Sequence, residues 1–360
     1  MKSKPEIKFA KTNDDVKIAY TISGQGPILV KAANWFTHIE LDWKSSVWSH
    51  WFRDLSKHTS LVRYDERGCG LSDRKVSDLS FDSWVDDLET VVDAIGLKRF
   101  PLLGISQGGA VAIAYAIRNP NKVSHLILYG AYGRGRLIRD SSKLAKQEAA
   151  TMNQLIQLGW GKEHDAFRQV FSSQFMPNGT LEQFQAFNEL QKASCSPENA
   201  VRFLNEFNQI NVMSMASQIK CPTLIMHSRG DLRVPFEEGR LLATQIPDAQ
   251  FIPLESSNHI LLSESMWDVF LNEINVFLQE QPLEFTKKKP LKKLTPREYE
   301  VLDYIARGHS NNSISKQLAL HEKTVRNNIT RIFSKLEVKT RAEAIVLARE
   351  AGMGKGSHFN

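Results

Sequence analysis

A serine set between glycines could act as a nucleophile in this 360-residue chain. Ser106 lies in residues 104–109 (GISQGG), between an apolar run at 100–103 and a helical pattern at 110–118. In such a strand–turn–helix context G-x-S-x-G forms a nucleophile elbow, because the tight turn has no room for side chains two residues to either side of the serine. The motif predicts a strained serine whose hydroxyl stands above a sheet edge. The alternative is an ordinary strand-to-helix turn.

A serine hydroxyl needs a base at neutral pH, and later residues can supply one. His259 is the candidate base, and Asp231 is the candidate carboxylate that fixes its tautomer and stabilises the imidazolium. Taken singly, His259 could be a surface histidine and Asp231 a turn residue after Gly230. Taken together, Ser106, Asp231 and His259 predict a triad for acyl transfer.

A β-sheet must position these residues, and the hydrophobic pattern of the chain predicts one. An apolar face at helical spacing predicts a helix over 81–95. Strands alternating with helices indicate a mostly parallel sheet covered on both faces. Runs bounded by turn signals predict strands at 7–10, 16–22, 28–33, 60–64, 100–103, 123–129, 223–227 and 251–254.

Four motifs make residues 5–280 resemble the α/β-hydrolase family. Residues 65–72 (DERGCGLS) match D-x-R-G-x-G-x-S, and the elbow matches G-x-S-x-G. Residues 227–235 (HSRGDLRVP), ahead of His259, resemble the acid-bearing G-x-x-D-x-x-V-P, with Ser228 at the position of its glycine. Their order along the chain is the family's order of serine, acid and histidine. The resemblance implies an α/β-hydrolase fold in a domain at 1–281, with a helical lid at about 131–218 and the triad named above.

The resemblance also implies an oxyanion hole with two backbone donors. One is the N–H of Gln107, directly after the nucleophile. The other follows the third strand, where this chain has Ala33-Asn34 in place of the family's His-Gly pair, so that Trp35 is the candidate donor. We expect Asn34 to replace the glycine because asparagine reaches positive φ more readily than most residues.

The segment at 131–218 is rich in large apolar side chains. Most are expected to pack the lid itself, and a minority to line an apolar ligand pocket above Ser106. Arg134, Arg136 and Arg139 leave two interpretations open: a solvated helix face, or contacts to an anionic ligand.

The last 80 residues differ from the rest in charge. They hold 16 Lys and Arg against 8 Asp and Glu, whereas residues 1–280 carry a net charge of −2. A lysine-rich segment at 282–293 predicts an extended basic linker, and 294–360 predicts a small all-α domain of four helices. Thr295 and Glu298 form a capping-box pattern for the first helix, and Asn311 or Asn312 can cap the second. The basic bias indicates a polyanionic partner.

The third helix of this domain, from about Glu322, has an apolar stripe and an opposite polar face. The polar face holds Lys323, Arg326, Asn327, Thr330 and Arg331, types that contact phosphates and base edges. Residues 293–350 resemble the LuxR-type helix-turn-helix, through motifs that include residues 294–298 (LTPRE) and 324–326 (TVR). This resemblance implies double-stranded DNA as a partner and a homodimer joined through the fourth helix. It adds Thr324, Asn328 and Lys335 to the DNA-binding residues.

Composition also bears on whether the protein holds a metal or a cofactor and on where it acts. The three cysteines are too scattered for a disulfide framework or a zinc site, and we expect no metal and no cofactor. No long apolar run or signal peptide is evident, which favours a cytoplasmic protein without a membrane partner.

Three hypotheses cover the whole chain: a DNA-binding regulator that senses a small ester-, lactone- or acyl-type ligand, an active serine hydrolase with an accessory DNA-binding domain, or a regulator whose first domain only oligomerises.

Overall fold

The computed structural model describes residues 6–163, 166–262, 265–279, 294–336, 338, 340–350 and 353–354. The chain divides into two compact units, residues 1–280 and 281–360. The basic linker predicted at 282–293 lies outside the described residues. None of the described helices combines the length and apolar character needed to cross a membrane.

The described residues of the first unit form an eight-stranded sheet in the order β1-β2-β4-β3-β5-β6-β7-β8. The pairs β1–β2 and β2–β4 are antiparallel, and the other neighbours are parallel, which confirms the predicted sheet. The strands are β1 (Ile7–Lys11), β2 (Lys17–Ser23), β3 (Ile28–Lys31), β4 (Ser60–Tyr64), β5 (Phe100–Ile105), β6 (Val123–Tyr129), β7 (Thr223–Ser228) and β8 (Gln250–Leu254).

Helices accompany the sheet because each buries one apolar stripe. The predicted helix at 81–95 is present, with Ser80 as its N-cap, Gly96 as its left-handed C-cap and Trp84, Leu88 and Val91 buried. The helices of the sheet layers are α1 (Ile39–Lys44), α2 (Ser49–His58), α3 (Phe81–Ile95), α4 (Gln107–Arg118), α10 (Phe236–Gln245) and α11 (Ser265–Gln279).

A helical insertion separates β6 from β7, where the lid is predicted. It contains α5 (Arg136–Arg139), α6 (Lys143–Gly159), α7 (Ala166–Phe175), α8 (Leu181–Ser194), α9 (Pro197–Gln209) and a 3₁₀ turn (Met213–Gln218). Its aromatic side chains share one apolar core with the sheet. Where the insertion meets the sheet domain, the backbones of Cys195 and Cys69 pair in an isolated antiparallel β-bridge. Both thiols are free, and the two cysteines are neighbours in space although they are distant in sequence.

The second unit contains α12 (Pro296–Ala306), α13 (Asn311–Gln317), α14 (Glu322–Leu336) and α15 (Arg341–Glu350). The capping box of Thr295 and Glu298 is formed as predicted. The predicted cap of α13 is wrong: Ser310 is the N-cap and accepts from the Ser313 N–H, while Asn311 and Asn312 lie inside the helix. The apolar stripes meet in a separate buried core that includes Val301, Ile305, Ile314, Val325, Ile332 and Ala344.

Candidate functional site

The elbow places Ser106 between the end of β5 and the start of α4. Its backbone has φ 54° and ψ −127°, the strained conformation expected of this turn. A Cβ at Gly104 would lie 2.6 Å from Gly109 Cα, and one at Gly108 would lie 2.3 Å from Ala33 O. The glycines are therefore required by the close approach of the backbone around the serine.

Asp231 and His259 come together from the loops after β7 and β8. His259 Nδ1 lies 2.6 Å from Asp231 Oδ2, and the other carboxylate oxygen accepts from the Arg233 and Val234 N–H groups at 2.8 and 2.9 Å. Burial is the largest single cause and acts to raise the pKa of Asp231, but His259, His227 and the Val234 N–H together lower it below its usual range. Asp231 is thus held ionised beside the histidine, as a carboxylate that orients an imidazole must be.

The insertion fixes the position of His259 from above. The carbonyl of Phe175, at the end of α7, accepts the backbone N–H groups of His259 and Ile260 at 2.8 and 3.1 Å. Among the described residues the buried His259 Nε2 has no hydrogen-bond partner. Ser106 and His259 line one narrow cleft without a direct hydrogen bond between them. A hydrogen bond between a catalytic base and its nucleophile often forms fully only when substrate binds. The arrangement is therefore compatible with attack by Ser106 on an acyl carbon.

The predicted oxyanion donors have an unexpected arrangement. The Trp35 N–H points toward the residue after the nucleophile, but it donates to the side-chain Oε1 of Gln107 at 3.0 Å. The expectation about Asn34 is wrong, because positive φ occurs instead at Phe36, with φ 45°. Asn34 serves another purpose, since its Oδ1 accepts from the buried ammonium of Lys31.

A buried carboxyl stands behind Gln107. Gln107 Nε2 donates to Glu66 Oε1 at 3.5 Å, and the second oxygen of Glu66 has no partner among the described residues. Burial, assisted by the charge of Asp87, raises the pKa of Glu66 to about 8. The Glu66 carboxyl is therefore mostly protonated at pH 7, and the Gln107 amide connects it to the Trp35 N–H.

A cavity of about 500 Å³ opens above Ser106, walled by the insertion on one side and by the loop after β7 on the other. Trp35, Phe175 and Phe207 form an apolar part of its wall. The wall also carries Arg136 and Arg139, whereas Arg134 pairs with Glu238. Sequence reasoning missed several polar groups here, among them Tyr132 and Arg233. The signal for Arg233 was its place two residues after the predicted triad acid.

The polar face of α14 lies on the surface of the second unit. Lys323, Thr324, Arg326, Asn327, Thr330 and Arg331 are exposed. Arg326 pairs with Glu322 at 2.8 Å one turn earlier, an exposed pair that is weak enough to exchange for a phosphate. Asn328 is half-buried and donates to the Thr324 carbonyl.

Lys335 differs from the other predicted DNA contacts. Its ammonium lies 2.6 Å from the carboxylate of Glu298, which is almost fully buried in the capping box of α12. This bond is the main reason why the pKa of Glu298 is lowered. The structure thus joins Lys335 to the interior of its own domain rather than leaving its charge free.

The elbow, the Asp–His pair and the covering helices are features of a domain of the α/β-hydrolase type, which shares one chain with a helix-turn-helix domain. The chain belongs to the alpha/beta hydrolase fold family, which residues 42–265 match, and residues 292–348 match the luxR family of bacterial regulatory proteins. These matches establish both resemblances inferred from the sequence.

The first domain is similar to several hydrolases. The 2-hydroxy-6-oxo-2,4-heptadienoate hydrolase of Pseudomonas putida is 27% identical over 71% of this chain and 87% of its own. The pyrrolizixenacetamide deacetylase of Xenorhabdus hominickii is 25% identical over 68% of this chain and 88% of its own. An esterase structure from Exiguobacterium antarcticum covers 76% of this chain and 99% of that one, with a TM-score of 0.65 and 22% identity, and therefore shares the fold.

Proposed function

We propose that this chain is a DNA-binding transcriptional regulator whose hydrolase-fold domain senses a small ester-, lactone- or acyl-type ligand. The observation that carries the proposal is the pairing, in one chain, of an exposed basic helix face with a cavity lined by Ser106. An oligomerisation module would need neither the Asp231–His259 bond nor the cavity.

In this proposal α14 enters the major groove, and its exposed residues contact phosphates and base edges. A homodimer places two such helices one turn of DNA apart, and the protein acts in the cytoplasm. Sedimentation with and without DNA tests the dimer.

Arg326→Ala with Arg331→Ala tests the DNA face in a mobility-shift assay over a range of salt concentrations. We expect weaker binding and a salt slope reduced by about two, because each phosphate contact contributes about one. Arg229→Ala with Arg240→Ala removes the same charge from exposed sites on the hydrolase-fold domain and should leave the slope unchanged. An unchanged slope in the first variant would refute the assigned face.

A second candidate function, hydrolysis of an ester-type bond, is favoured by the short bond between His259 and Asp231. Ser106 attacks the acyl carbon, and His259 takes the serine proton and gives it to the leaving group. Water, deprotonated by His259, then attacks the acyl-enzyme and releases the acid and free Ser106, while Asp231 orients the imidazole in both steps. A fluorophosphonate probe should label wild-type protein and not Ser106→Ala. Absence of labelling in folded wild-type protein would count against turnover.

Sensing requires that the two sites be coupled. A ligand that changes DNA affinity by some factor must have its own affinity changed by DNA by the same factor. Measuring both factors on the full chain tests the regulator proposal without requiring that the triad turn over.

A further inference from the structure

The cavity above Ser106 contains cationic groups that lack an anionic partner. Arg233 makes one side-chain hydrogen bond, from Nη1 to the neutral Gln174 Oε1 at 3.3 Å, and forms no ion pair within the described residues. Its guanidinium carbon lies 5.7 Å from the ring centre of Trp35 and 5.3 Å from that of Phe175. The two rings therefore hold this charge in a fixed place on the cavity wall.

Arg139 repeats this arrangement on the insertion. Its Nη1 donates to the Arg134 carbonyl at 3.1 Å, and its guanidinium carbon lies 5.8 Å from the Tyr132 ring centre. Like Arg233, it lacks a carboxylate partner in the part of the chain that the structure describes. The Tyr132 hydroxyl also makes no hydrogen bond with a described residue, although Tyr132 is buried on the cavity wall.

The acidic groups nearby are engaged or peripheral. Glu148 pairs with Arg136, and Glu238 pairs with Arg134. The Asp231 carboxylate is occupied by His259 and by two backbone N–H groups. Asp140 also lines the cavity, but its exposed carboxylate accepts from the Ser142 N–H at 2.8 Å. Arg139 and Arg233 therefore face the chamber without an ion pair to a described carboxylate, and the nearby Glu238 and Asp231 act on them only at longer range.

Positive charge without an ion-pair partner in a partly enclosed site is unfavourable without a ligand. Burial is the main cause that lowers the pKa of Arg233, and the nearby Arg139 and Arg136 lower it further. A bound anion would offset both effects, and a guanidinium fork with free N–H groups matches a carboxylate.

Resting on the proposed function, we infer that the ligand of this chamber is an acyl compound that carries a carboxylate, such as the half-ester of a short dicarboxylic acid. The ester or lactone carbonyl lies at Ser106, and the carboxylate binds between Arg233 and Arg139, with the Tyr132 hydroxyl as a further donor. The apolar surface of Trp35 and Phe207 contacts the carbon chain.

Binding is measured by calorimetry on the full chain carrying Ser106→Ala, which prevents turnover. The probes are the monomethyl and dimethyl esters of succinic, glutaric and adipic acid, because one half-ester of this series should match the span from Ser106 to the arginines. We expect the best half-ester to bind about 10- to 100-fold more tightly than its diester, the range expected for a charge-assisted hydrogen bond.

Arg233→Gln and Arg139→Gln, each added to Ser106→Ala, should reduce this preference, and their combination should abolish it. Arg233→Lys keeps the positive charge but loses the two-pronged guanidinium donor, and it should keep part of the preference for the half-ester. Arg240→Gln is the matched control, because Arg240 is exposed and paired with Glu237. Circular dichroism verifies that each variant is folded.

Equal affinity for half-ester and diester, including undetectable binding of both, overturns the anionic assignment. So does a preference that survives the loss of both Arg233 and Arg139. Tight binding of the diesters alone would refute the carboxylate and leave a ligand-binding domain in place. The mobility-shift assay tests DNA binding separately, so failure of the regulator proposal is distinguishable from failure of this one.

Discussion

The contact between the Gln107 side chain and the Trp35 N–H leads to the sharpest prediction. At 3.0 Å the Gln107 amide oxygen occupies a donor that an acyl oxyanion would use. Gln107→Met keeps a side chain of similar length but removes the strong acceptor, while the Gln107 backbone N–H is retained. We expect Gln107→Met to hydrolyse short p-nitrophenyl esters with a higher kcat than wild type.

The size of the gain depends on what Gln107 does when substrate binds. If the amide stays in place, wild type works with one donor, and freeing the other raises kcat by about 10²–10³. If the substrate displaces the amide, only the cost of breaking one hydrogen bond is saved, about 1 kcal/mol or roughly fivefold. The measured ratio therefore distinguishes a permanently occupied hole from one that opens on binding.

Gln191→Met is the control for this experiment. Gln191 Oε1 accepts from the indole Nε1 of the same Trp35 at 3.2 Å, so its loss disturbs the tryptophan ring but not the backbone N–H. We expect kcat near the wild-type value for that variant. A folded Gln107→Met protein with kcat equal to or below wild type would refute the reasoning, and equal gains in both variants would attribute the effect to the Trp35 ring.

Three further predictions concern groups around the two sites. Because burial raises the pKa of Glu66 from 4.5 to about 8, the folded state keeps a proton that the unfolded state loses, and the contribution of this group to stability falls as pH rises from about 4.5 to about 8. Urea titrations of Glu66→Gln should show a weaker fall over this range, and an unchanged slope would contradict the assignment. Lys335→Met should lower the free energy of unfolding of the second unit by up to about 1 kcal/mol, whereas the exposed Lys323→Met should not, and equal denaturation midpoints would argue against the ion pair with Glu298. Asp231→Asn should slow fluorophosphonate labelling of Ser106 by about 10³–10⁴, because the histidine loses the carboxylate that sets its tautomer, and a labelling rate like that of wild type would exclude this role.

The regular elements were predictable because their signals are local. Each predicted strand of the sheet is present, and the apolar stripe predicted for the third helix of the second domain is buried on α14, at Val325, Ile329 and Ile332. The helix caps were harder to predict. Ser310, Asn311 and Asn312 are all residue types that cap helices, and a shift of one residue in the start of α13 decided that Ser310 is the cap. The positive φ at Phe36 rather than Asn34 depended on the path of a loop, which residue preferences do not determine.

The sequence by itself determined which residue types stand at the elbow, at the acid and at the histidine, and which helix is basic, because short motifs and helical periodicity are written in consecutive residues. Only the tertiary structure decided what those residues contact. It placed Gln107 on the Trp35 N–H, joined Lys335 to Glu298, and left Arg139 and Arg233 facing one chamber without an ion pair to any described carboxylate. These arrangements join residues that are tens of positions apart, and only packing of the whole domain sets such distances.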